Sequence, residues 1–140
     1  MITVVRDEVG RVSGFHTPDH SNPGGKQKMK MVTCIVRPEK LEPITDILDK
    51  IHIVGMTVMD VRGFGRQKGQ VEHYRGGEYK IRFINKVRLD LVVQDEDVKR
   101  VMEAVSKVAS TGNVGDGKIF VTPVENALRI RTGEVGTSAL

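Results

Sequence analysis

Between residues 112 and 118 the chain reads Gly-Asn-Val-Gly-Asp-Gly-Lys. Glycines that let backbone amides approach a ligand closely, followed by a lysine, are the chemistry of an anion cradle. The spacing fits GxxxxGK, but Ile119 stands where a magnesium-binding Ser or Thr belongs. The surrounding order is helix, loop, strand, so no helix N-terminus points at a phosphate. It is not a Walker loop, and an ordinary helix-to-strand turn would read the same way. Further on, Arg129-Ile130-Arg131-Thr132-Gly133 places two guanidinium groups on one side of an extended segment, suited to gripping phosphate with forked donors. A solvated edge strand would look similar. A third cluster, Gly63, Gly65 and Gly69, has the spacing GxGxxxG and no amphipathic helix behind it, which excludes the dinucleotide fingerprint.

Charge supports an anionic ligand or partner. The chain of 140 residues carries a net +4, yet residues 62 to 88 hold eight basic side chains against only Glu72 and Glu78, a net +6. Concentrated positive charge favours a polyanion over a uniformly basic coat, with a solvated loop as the plain alternative. A nucleic-acid-binding module is the competing function, given a sequence pI of about 9.3. With two Tyr, four Phe and no Trp, the strands lack the interleaved aromatics on which bases stack.

Catalysis finds little support: there is no GxSxG, no HExxH and no Cys/His pair with a local reason to meet, which leaves at most a weak incidental ATPase. The single cysteine, Cys34, has no partner within the chain for a disulfide and no zinc-ligand spacing around it. His16 and His20 stand at i, i+4, but Pro18 between them argues against a shared helix face. No apolar run reaches the roughly 20 residues of a membrane span. Arg6, Asp7 and Glu8 occupy the place of a signal peptide's apolar stretch, so a cytoplasmic protein is expected.

The elements that must position these groups follow from hydrophobic period. Residues 1–28 are rich in turn formers and form a flexible extension in this reading, with Val4 and Val5 able to pair as a short strand. From Met29 the pattern becomes regular. Met31 to Val36 reads as a buried strand ended by Pro38, and Leu41, Ile44, Leu48 and Ile51 mark one face of a helix ending before Gly55. A second strand, Met56 to Arg62, runs into Gly63-Phe64-Gly65. Val87, Leu89, Leu91 and Val93 alternate with polar neighbours as a strand with one wet face. Asp95, Glu96 and Asp97 supply N-cap and first-turn acids for a helix striped by Val98, Val101, Met102, Val105, Val108 and Ala109, and Lys118 to Val121 is a last strand. The order βαββαβ predicts an α+β ferredoxin-like sandwich. The excursion from about Gly65 to Phe83 has no apolar periodicity and is the kind of long loop that carries function or is disordered.

Residues 29–140 resemble the PII nitrogen-regulatory signal-transduction proteins of the GlnB and GlnK type. The resemblance rests on Gly63-Phe64-Gly65-Arg66-Gln67-Lys68-Gly69, Tyr74-Arg75-Gly76-Gly77-Glu78-Tyr79, Thr111 to Phe120, and Arg129-Ile130-Arg131-Thr132-Gly133, in that order. It implies a homotrimer with nucleotide sites in the clefts between subunits, and makes residues 65–83 a signalling T-loop between strands 2 and 3, with a C-terminal segment over about 124–140.

The resemblance also implies ligands. ATP or ADP phosphates would be gripped by Arg66 and Lys118 after the Gly115-Asp116-Gly117 bend, and from the neighbouring subunit by Arg129 and Arg131, with Gly63, Gly65 and Gln67 alongside. Thr57, Asp90 and Val92 match positions near the adenosine, Asp90 replacing an expected glutamate. Gln67 would help hold magnesium. Lys86 would pair with 2-oxoglutarate, enclosed by Gly65, Gln67, Lys68, Gly69 and Gly115. At the loop tip, Arg75 would enter an ammonium transporter and Tyr79 would accept a nucleotide from a uridylyltransferase or adenylyltransferase. Nitrogen-assimilation enzymes and regulators are the other implied partners, and a membrane is reached only through a transporter. Gly77 stands where some relatives carry a phosphorylated serine, and Asn85 where many have proline.

Overall fold

Strict alternation of Val32, Cys34 and Val36 with Met31, Thr33 and Ile35 gives one strand two unlike faces, and the fold follows from burying the apolar one. The computed structural model describes residues 3–6, 12–16, 29–64, 71–74, 77–80 and 83–140, the four short segments by their strand backbone alone. The elements are β1 (Thr3–Arg6), β2 (Val12–His16), β3 (Met29–Val36), α1 (Leu41–Lys50), β4 (Thr57–Gly63), β5 (Val71–Tyr74), β6 (Gly77–Lys80), β7 (Ile84–Gln94), α2 (Val98–Ala109) and β8 (Gly117–Val124), with one-turn 3-10 helices at Pro38–Lys40, Asp95–Asp97 and Gly136–Ala139.

β3, β4, β7 and β8 form an antiparallel sheet in the order β4-β7-β3-β8. With α1 and α2 as the two crossovers this is the expected ferredoxin-like sandwich. Both helices cover one face. Ile44 and Leu48 of α1 and Val101, Val105 and Ala109 of α2 pack with Val32, Cys34 and Val36 of β3 and Val87, Leu89, Leu91 and Val93 of β7. Each fully buried Leu, Ile or Val contributes about 1.5–3 kcal/mol relative to exposure. Cys34 lies inside this layer, where burial first, then the charge of Asp90, pushes its thiol up to about 11. It behaves as a small core residue, not a nucleophile.

Three expectations need correction. The excursion, read as a long loop without apolar periodicity, contains two short strands: β5 and β6 pair antiparallel, Val71 opposite Lys80 and Tyr74 opposite Gly77. Strands this short carry too few residues for a period to show. Second, Asp95, Glu96 and Asp97 form a 3-10 turn without a side-chain cap, and Asp97 instead accepts from Arg100 at 2.7 Å. Third, residues 129–133 are not extended, as described below. In the N-terminal region β1 pairs with β2, Val4 opposite Phe15, so the strand at Val4 and Val5 is present. His16 closes that hairpin's second strand, and His20 lies outside the described residues.

Candidate functional site

The glycine-rich loop is fastened at four places by one carboxylate. Asp116 accepts from the Thr111 amide (2.7 Å), the Thr111 hydroxyl, the Gly112 amide (3.0 Å) and Arg37 Nε (3.3 Å). The Thr111 bonds lead in holding its pKa down to about 2, ahead of Arg37 and Gly112. Arg37 also donates Nη2 to the Val114 carbonyl at 2.9 Å, and Lys86 Nζ donates to the Gly115 carbonyl. Gly117 closes the loop with φ +110°, and a Cβ there would lie 1.8 Å from the Ile35 carbonyl oxygen. Only glycine lets β8 start this close to β3. Lys118 follows, paired in register with Ile35. Beside the loop a cleft of about 380 Å³ opens between Met102, Val105 and Ala109 of α2 and Gly117 to Ile119 of β8.

On the sheet face away from the helices, Lys86 is buried to 9% exposure. Burial lowers its pKa, the Arg37 charge lowers it further, and Glu39 and Asp116 oppose the shift. Four residues further along the same face, Asp90 accepts from Thr33 Oγ1 at 2.7 Å and from Arg88 Nε at 3.1 Å on both oxygens. Burial would raise the Asp90 pKa, but the Thr33 and Arg88 bonds win and lower it. Thr57 sits directly opposite Asp90 across β4 and β7, and Val92 opposite Met31. At the base of the long excursion the exposed rings of Phe64 and Phe83 meet with centroids 5.9 Å apart and planes tilted by 51°, a clasp worth about 0.5–1.5 kcal/mol beyond its area.

The C-terminal segment differs from its sequence reading. Arg129 to Gly133 forms a turn closed by Gly133 N to Arg129 O (2.8 Å) and Arg129 N to Glu134 O (2.9 Å), flanked by a bridge between Leu128 and Val135. The guanidinium of Arg129 is engaged by the Glu134 carboxylate and the Leu140 carbonyl. Arg129 and Arg131 are therefore not side by side on an extended strand. Main-chain bonding from Glu134 and Gly133 overrides the extended reading, and Gly133 takes the positive φ of 73° that the turn needs.

The structure thus brings Lys86, Gly115, Asp116, Gly117 and Lys118 into one neighbourhood and sets Thr57 across from Asp90. Gly63 ends β4, where an added Cβ would lie 3.4 Å from Lys86 Cγ. Gly65, Arg66, Gln67, Lys68, Gly69 and Arg75 lie outside the described residues, and Tyr79 is placed by its backbone in β6. Sequence reasoning missed Arg37, Thr33 and the Phe64–Phe83 clasp. Arg37 meets Asp116 across 79 residues, and no local pattern signals such a pair.

A ferredoxin-like α+β domain with a braced glycine loop at the head of an edge strand is the class that fold and site define. Residues 29–134 match the family model described as Nitrogen regulatory protein P-II, and the chain belongs to that family. It is similar to the nitrogen regulatory protein P-II of Microchaete diplosiphon, 52% identical over 112 residues that span 80% of this chain and 100% of that protein. Its similarity to the nitrogen regulatory protein GlnK of Escherichia coli is 50% identity over the same spans, 80% and 100%. The crystal structure of Arabidopsis thaliana PII bound to citrate superimposes with a TM-score of 0.67 at 40% identity, covering 81% of this chain and 94% of that one. The protein is accordingly a nitrogen-regulatory signal-transduction protein and not an enzyme, from a family that binds nucleotides and 2-oxoglutarate.

Proposed function

We propose that this protein is a homotrimeric sensor that binds ATP or ADP, and 2-oxoglutarate with Mg, in clefts between subunits and passes the result to partner proteins through residues 65–83. The observation that carries the reading is the Lys86–Gly115 hydrogen bond beside Lys118, because it joins the lysine for the metabolite to the loop for the nucleotide. The surroundings suit a polyphosphate: Lys86 and the exposed Lys118 flank the loop, while the carboxylate among them, Asp116, is already bonded to Arg37, Thr111 and Gly112.

In this reading Lys118, Arg66 and Gly115 to Gly117 hold phosphates, Gly63, Gly65 and Gln67 line the same cleft, and Arg129 and Arg131 reach in from a neighbouring subunit. Arg129 must first leave Glu134. Thr57, Asp90 and Val92 flank the adenosine. Gln67 contributes an oxygen to magnesium, a hard cation that shares phosphates with few protein ligands. Lys86 neutralises 2-oxoglutarate, with Gly65, Gln67, Lys68 and Gly69 around it. Since Gln67 sits at the base of the loop, the metabolite selects among loop states through its differential affinity.

The output is contact with an ammonium transporter through Arg75, or with a nitrogen-assimilation enzyme or regulator. Nucleotide addition at Tyr79 would block docking by bulk and charge. A cytoplasmic location fits this role. Among the described residues no helix is long and apolar enough to cross a membrane.

Calorimetric titration tests the reading. 2-Oxoglutarate should bind only with Mg and ATP present, and Gln67→Ala or Lys86→Ala should abolish that heat while ATP still binds. Equal 2-oxoglutarate binding without nucleotide would contradict the mechanism.

A further inference from the structure

Arg37 stands just past the end of β3, and its side chain crosses to a loop 77 to 79 residues later in the chain. One guanidinium spans two separate acceptors there, the Val114 carbonyl at 2.9 Å and the Asp116 carboxylate at 3.3 Å. Those acceptors bracket Gly115, whose carbonyl receives Lys86 Nζ, and Asp116 is also the acceptor that draws in the Thr111 and Gly112 amides. A planar fork fixes the distance and orientation between the groups it joins, which a point charge does not. Gly115 (φ +99°) and Gly117 (φ +110°) flank Asp116 with the most permissive backbone in the chain, so the loop's shape depends on the bonds that tie it down.

We infer that Arg37 is a positioning residue for the ligand site, its guanidinium holding the 111–117 loop in the shape that presents Gly115 to Lys86 and Lys118 to a phosphate. The ligand half of this inference rests on the function proposed above; the brace itself does not. Arg37 touches no ligand in this account. It acts through Asp116 and Val114, and it adds positive potential beside Lys86 that favours an anion in the same neighbourhood.

Two readouts test it on the full-length chain: amide hydrogen exchange without ligand, and calorimetric affinity for Mg-ATP, each on wild type, Arg37→Ala, Arg37→Gln and Arg37→Lys. In Arg37→Ala the Thr111 and Gly112 amides should exchange about tenfold faster while those of α2 and β3 keep their protection. ATP affinity should fall about tenfold, the scale of one lost charge-assisted hydrogen bond. Arg37→Lys should recover part of both effects and Arg37→Gln less, and these two variants decide the matter if Arg37→Ala fails to fold. Unchanged exchange at Thr111 and Gly112 overturns the brace whether or not the chain takes up ATP. Faster exchange with ATP affinity within about twofold of wild type overturns the link to ligand and leaves the proposed function standing. Wild-type protein that takes up no ATP overturns the proposed function instead, and exchange alone then decides the brace.

Discussion

The loop at 111–117 and the segment at 127–140 both carry groups suited to anions, yet they spend their hydrogen bonds differently. In the loop, Arg37, Lys86 and the Thr111 and Gly112 amides are spent on Asp116 and on the Val114 and Gly115 carbonyls, while Lys118 stays exposed. In the C-terminal segment the bonds end on Arg129 itself, through Glu134 and Leu140. In the proposed site the loop would be preorganised within a single chain, whereas the arginine segment is folded onto itself and would have to be released. Preorganised groups lose less freedom on binding, so the loop should contribute more affinity per contact than the arginines.

The sharpest way to break the contrast is at Gly117. Gly117→Ala places a Cβ against the Ile35 carbonyl at a backbone angle that alanine resists, and should cost at least about 3 kcal/mol in denaturant unfolding. A loss near zero would mean that the loop tolerates other shapes.

Acid should loosen the loop next. Asp116 titrates near about 2 in the fold against an ordinary value of 3.8, so its ionised form adds stability above pH of about 4 that fades as the pH falls towards 2. Wild type and Asp116→Asn should therefore differ in melting temperature near neutral pH and converge by a pH of about 2. A gap that persists there would point to lost packing instead of lost charge.

The smallest effect belongs to the tail. Glu134→Ala removes a half-exposed ion pair and should change stability by less than about 1 kcal/mol. Freed from Glu134, Arg129 should bind ATP as well as or better than in wild type. Weaker ATP binding with an intact fold would show that Glu134 orients Arg129 for the ligand and does not compete with it.

The core was legible because its signals are local. Val87, Leu89, Leu91 and Val93 alternate along one strand, and Ile44 with Leu48, or Val101 with Val105, recur at helical spacing, so burial could be read from period alone. The glycine loop was legible as a loop, because Gly112, Gly115 and Gly117 announce positive φ. Its bracing was not. Arg37 and Asp116, or Thr33 and Asp90, meet only when distant strands pair, and one Arg before a proline carries no pattern. The turn at residues 130–132 was hidden for a related reason: alternating Arg and Ile imitate a strand, and only the reach of Glu134 back to Arg129 bends the chain. The hairpin of β5 and β6 escaped because polar residues fill strands of four.

A polyphosphate held by the braced loop is the central claim, and a calorimetric titration of ATP into wild type and Lys118→Ala tests it most directly. It predicts clear saturable heat for wild type, affinity weaker by at least about tenfold in the variant, and identical thermal melts without ligand. Equal ATP affinity in the two proteins, or no uptake by either, would contradict it.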